Sequence, residues 1–165
     1  LIPAWRGKRG QVIFRMRTIR QTNSPITHEI VHVLATNANR FLAEGLAVHT
    51  HDALNGQPAF PNFGRDLHDR AVTYASKADL AALERLPVPR RLELPGLAPQ
   101  GAYMVAGSFV RFLIETRGMD KFRTLYEQTP LEVRSRFAGD VNRWQAVYGV
   151  PLETLAMEWR QAITR

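Results

Sequence analysis

Two histidines four residues apart, in the run His28-Glu29-Ile30-Val31-His32, constrain this chain more than any other feature. On an α-helix, side chains at i and i+4 stand on one face about one turn apart, so both imidazoles can converge on a single metal ion. Glu29 lies roughly 100° around the same axis from His28. That position is near enough to hydrogen-bond an attacking water but angled away from ligation, as a general base requires. The run makes sense only on a helix, and its surroundings supply one. Asn23-Ser24-Pro25 offers a capping residue followed by proline at a first helical position, and Ile26, Ile30, Val33 and Leu34 recur at helical spacing. A helix is predicted from about Pro25 to Thr36.

Catalytic zinc takes three protein ligands and keeps one position open. A histidine ten residues after His28 would complete the metzincin arrangement, but that position is Ala38, and Ala35 stands where that arrangement has glycine. Glu44 is the better third ligand. It follows a tight Asn37-Ala38-Asn39 turn, in a second short helix read over Arg40 to Val48 that can lie against the first. Its apolar neighbours Leu42, Ala43, Leu46 and Ala47 imply burial, where an unpaired carboxylate would be costly. His49 and His51 compete for the same role. If the second helix continues, His51 shares the Glu44 face and is expected behind the ligands or facing substrate, whereas His49 points about 140° away. Two imidazoles and one carboxylate suit one Zn²⁺.

The rest of the chain reads as mostly helical with a small β contribution. Residues 11–18 alternate apolar and basic from Ile13 and predict a strand with one buried face. Asp52 to Gly64 is rich in Gly, Pro and Asn and marks a loop. Helical patterns resume at Asp66 to Lys77 and Asp79 to Leu86, and the proline-rich stretch 87–100 looks irregular. Ala102 to Thr116, ended by Gly118, carries the strongest helix signal, followed by Lys121 to Gln128 and the amphipathic Pro151 to Ile163. No repeat or linker divides the 165 residues, so one domain over 1–165 is expected, with residues 1–20 as a remnant of an upstream β-sheet.

Composition excludes some partners and chemistries. With no cysteine there is no disulfide, thiolate metal site or cysteine nucleophile. The formal charge of +7 raises the question of nucleic acid, but the arginines are scattered from Arg6 to Arg165 without interleaved aromatics, which argues against that partner. No stretch reaches the ~20 uninterrupted apolar residues of a membrane span. Leu1 stands where a methionine would begin a chain, and no signal-peptide order follows, so a processed form or an excised domain is expected.

Three segments resemble the gluzincin superfamily that includes the M1 aminopeptidases, and more closely the bacterial peptidase MA-like metallopeptidases. His28 to His32 resembles the zinc helix. Phe41-Leu42-Ala43-Glu44-Gly45-Leu46-Ala47 is similar to the family's Trp-Leu-x-Glu-Gly-x-Ala segment, whose glutamate is the third ligand, with Phe41 for tryptophan. Tyr103 to Leu113 resembles the helix whose tyrosine stabilises the transition state, with Ala106 where those relatives have glycine. The run from Trp144 to Trp159 is also typical of the MA-like group. The resemblance implies an α+β, predominantly α-helical, thermolysin-like catalytic domain with a short N-terminal β element. It also implies hydrolysis of a peptide or protein substrate, Glu29 as base and Tyr103 as oxyanion donor. No segment matches the Gly-Ala-Met-Glu-Asn run with which M1 enzymes recognise a substrate amino terminus. The alternative expectation is a gluzincin-type scaffold that binds zinc or a partner without turning over peptides.

Overall fold

The computed structural model describes residues 24–54, 58–81, 92–129 and 142–165. Seven helices are found there: α1 (Ile26–Leu34), α2 (Arg40–Ala53), α3 (Leu67–Ala75), α4 (Pro99–Arg117), α5 (Met119–Gln128), α6 (Asn142–Tyr148) and α7 (Leu152–Ile163). The protein is predominantly α, with no strand among the described residues. The strand read over 11–18 and the upstream remnant at 1–20 lie outside them. No described helix is long and apolar enough to cross a membrane.

Helix α4 is the axis of the molecule, because α2, α3, α5 and α7 all pack on it. Its sequence explains the position. Small residues (Gly101, Ala102, Ala106, Gly107, Ser108) alternate with Met104, Val105, Phe109, Val110 and Leu113, so the helix is buried on nearly every side. Phe109 is the hub of an aromatic cluster, with ring centroids 5.9 Å from Phe41, 6.2 Å from Trp144 and 5.7 Å from Trp159. Gly118 then adopts φ 89°, the left-handed conformation that ends a helix at little cost for glycine alone, and α5 follows at once. From α7, the Arg160 guanidinium donates to the carbonyls of Ala75 (3.0 Å) and Ala78 (2.7 Å), satisfying acceptors at the end of α3.

The predicted helices are present with shifted ends. Helix α1 closes at Leu34 rather than Thr36, and Pro25 is its N-cap instead of its first residue, with no side-chain capping bond. Helix α2 runs five residues beyond Val48, to Ala53, with Gly45 buried inside it. Of the helix read over Asp79 to Leu86, a helical turn at Leu80 and Ala81 is described, and residues 82–86 lie outside the described residues. The apolar stripe of α1 is exposed: Ile26, Ile30, Val33 and Leu34 retain 38–68% of their surface. Among the described helices α1 packs chiefly on α2, and it does so through its histidine face.

Candidate metal centre

The turn between α1 and α2 is fixed from a distance. Asn39 caps α2, its side-chain oxygen accepting from the Leu42 amide, while the Asn39 amide donates to Asn37 Oδ1. Asn37 Nδ2 in turn donates to the Tyr126 carbonyl at 2.9 Å, and the Tyr126 hydroxyl donates to the Ala35 carbonyl at 2.6 Å. One residue of α5 thus holds both sides of the turn. Burial, then the Glu44 charge, push the Tyr126 phenol up, so it stays a donor. The consequence is that α1 folds back with His28 and His32 facing Glu44.

These three residues meet in a small triangle. His28 Nε2 and Glu44 Oε2 are 3.1 Å apart, His32 Nε2 and Glu44 Oε2 3.0 Å, and the two imidazole Nε2 atoms 3.1 Å. No protonation pattern satisfies all three sides. If both Nε2 atoms carry hydrogen toward the carboxylate, those hydrogens face each other; if one does not, its lone pair faces an anionic oxygen. A single cation satisfies all three at once. Donors bound at 2.0–2.1 Å in a tetrahedron lie about 3.3 Å apart, close to the separations here, so the donor set fits zinc in both type and spacing. Among the described residues, these three form the one group of metal-ligating side chains close enough to share an ion. His32 is the most open of them, with 23% of its side chain exposed against 10% for His28 and 11% for Glu44.

Burial alone would push the Glu44 carboxyl up, but His28 and His32 outweigh it and hold it down at about 2 from the ordinary 4.5. A lowered carboxylate pKa stabilises the fold above the unfolded-state value, and that contribution is lost as pH falls through the folded value. Metal-free wild type is therefore expected to exceed Glu44→Gln in unfolding free energy above pH 4.5. The gap closes between pH 4.5 and about 2. Urea unfolding at stepped pH measures it, and a gap that does not change with pH would rule out the carboxylate charge as its source.

Glu29 sits half-buried on α1, outside the triangle. Tyr103 is half-buried in the second turn of α4, and burial followed by the charges of Glu44 and Glu29 raise its phenol, with Arg40 opposing. Helix contacts put it there. A Cβ on Gly45 would lie 2.6 Å from the Ala106 carbonyl oxygen, so the Glu44 turn of α2 touches α4 one turn beyond Tyr103. His51 is buried two turns beyond Glu44, roughly 10 Å along the axis, and does not join the donor group. His49 has other electrostatic neighbours, namely Glu115, Arg111, Asp52 and His68, and burial lowers its pKa.

A second polar cluster has the residue types of a nucleophilic triad. His68 Nδ1 lies 2.7 Å from Ser108 Oγ and His68 Nε2 3.6 Å from Glu115. Ser108 is fully buried and also accepts from the Trp159 indole at 2.9 Å. Its oxygen is out of reach of a substrate, and the cluster serves packing between α3, α4 and α7. Sequence reading did not single out Phe60 and Phe63, which flank the Tyr103 side of the centre. Two phenylalanines inside a Gly, Pro and Asn-rich loop were the available signal. No family model matches this chain, and no curated protein or solved structure matches it either.

Proposed function

We propose that this chain is a zinc-dependent metallopeptidase domain of the gluzincin type, with His28, His32 and Glu44 holding the ion. The closed triangle of three mutually unsatisfiable donors is the observation that carries this reading, with Glu29 one residue from the first of them. Among the described residues the group has three ligands, which is the number a catalytic zinc takes, whereas structural zinc sites take four. The finer α+β architecture belongs to the same proposal and rests on the sequence of residues 11–18 and the three gluzincin-like segments. Zinc bound there would act as a Lewis acid toward the scissile carbonyl and make an attacking water more acidic.

The residues of the chain perform the proton and charge handling. Glu29 accepts the proton of the attacking water and passes it to the leaving amine, which needs a carboxylate near the ligands but not among them. Tyr103 donates its hydroxyl to the oxyanion that develops on the former carbonyl, and a phenol, with an ordinary pKa near 10, holds that proton at neutral pH. Zinc titration beside hydrolysis of a quenched peptide library tests the proposal. One equivalent of zinc and cleavage that a chelator abolishes and zinc restores are expected. Tight zinc binding without cleavage would turn the reading to a zinc-holding scaffold.

A further inference from the structure

Beside the proposed metal centre lies an exposed aromatic surface that the chemistry above does not use. Phe60 and Phe63 are 42% and 54% exposed, with ring centroids 6.4 Å apart, and Phe60 packs edge-on against Tyr103 at 5.2 Å. Single exposed phenylalanines need no explanation, but three contiguous rings leading away from a candidate centre do. The run of contacts is continuous: Glu44 adjoins Gly45, Gly45 abuts Ala106, and Tyr103 precedes Ala106 by one turn and touches Phe60.

The loop that carries these rings is held from three sides. Asn62, 5% exposed, donates to Asp52 Oδ1 at 2.7 Å and to the Arg65 carbonyl at 2.6 Å. Gln100, from the first turn of α4, donates to the Pro61 carbonyl at 2.9 Å, and the Phe63 amide donates to the Ala59 carbonyl at 2.7 Å. Phe63 itself sits at φ 52°, a left-handed conformation that costs a bulky residue and that glycine would take freely. Buried polar anchors thus fix two apolar rings where water, not core, covers them. That arrangement suits a preformed apolar subsite, because fixed rings lose little freedom on binding.

We propose that Phe60 and Phe63, with the ring of Tyr103, form the specificity surface of the site and select peptides with a bulky apolar or aromatic side chain next to the scissile bond. The inference rests on the peptidase reading and names its substrate class. Two readouts test it on the zinc-loaded chain. The first is kcat/KM for quenched peptides differing only in Phe, Leu, Ala or Asp beside the cleaved bond. The second is equilibrium binding of a benzyl-bearing hydroxamate against acetohydroxamate.

The wild type is expected to favour Phe and Leu over Ala by ~10-fold or more, and the benzyl hydroxamate by a similar factor. Phe60→Ala and Phe63→Ala, at exposed positions, lower kcat/KM for Phe and Leu peptides by ~10-fold more than for Ala peptides and so remove most of that preference; Phe60→Leu retains part of it. Cleavage without preference, or a loss equal on all peptides, overturns the specificity surface and leaves the peptidase reading standing. Discrimination between hydroxamates without any cleavage overturns the peptidase reading and, with it, the substrate class, and leaves Phe60, Phe63 and Tyr103 only as an apolar surface beside the metal. A chain that shows neither cleavage nor hydroxamate binding overturns both.

Discussion

On the proposed mechanism, Glu29→Gln is expected to fold and take up zinc like the wild type but to hydrolyse peptides about 10²–10⁴-fold more slowly. Glutamine keeps the length and shape of the side chain and can still hydrogen-bond a water, but it cannot accept the proton. Glu29 is half-buried and stands outside the three-donor triangle, so its replacement leaves His28, His32 and Glu44 as they are. The effect should therefore fall on kcat rather than on metal content. Zinc stoichiometry by a chromogenic chelator and kcat on a single good peptide, measured on the same preparation, separate the alternatives. A parallel loss of zinc and activity would make Glu29 part of the metal site. Full activity with full zinc would remove it as the base and leave the proposed mechanism without one.

Local physics explains why this much of the site was legible in the sequence. A pincer of two histidines on one helix needs only the 3.6-residue period, and a third donor needs only a short turn and a second helix, so the identity of the three residues that meet at 3.0–3.1 Å was readable within residues 28–44. Helix α4 was equally plain, since its apolar run and Gly118 are consecutive in the chain. Long-range terms were not legible. The α1–α2 turn is held by Tyr126, and nothing in the spacing of Asn37 and Asn39 names a partner 89 residues away. Nor was the role of Gly45 legible, because it reads as a weak point of α2 until its packing against Ala106 is known. The apolar stripe of α1 shows the reverse error of a periodicity argument. It marks a face that favours burial, yet Leu34 is 68% exposed, because pattern alone does not say which partner covers it.

Gly45→Ala is expected to destabilise the fold and to weaken zinc binding together, although alanine is the better helix former by about 1 kcal/mol. Packing decides against propensity here. The added Cβ would lie 2.6 Å from the Ala106 carbonyl oxygen, 3.0 Å from its carbonyl carbon and 2.6 Å from Val110 Cγ2. A side chain could rotate away, but a backbone carbonyl inside α4 cannot, so the helices must part. Overpacking of this kind costs typically 1–3 kcal/mol, and contact with backbone belongs at the upper end, leaving a net loss of about 1–2 kcal/mol. For a chain of this length that lowers Tm by roughly 2–8 °C. Because Glu44 is the preceding residue, the same displacement moves its carboxylate relative to His28 and His32 and is expected to reduce zinc affinity. Val110→Ala on the Gly45→Ala background relieves one contact and recovers only part of the Tm, since the carbonyl contact remains. Thermal unfolding and zinc competition on the three proteins measure this, and an unchanged or higher Tm for Gly45→Ala would show that α2 and α4 separate at little cost.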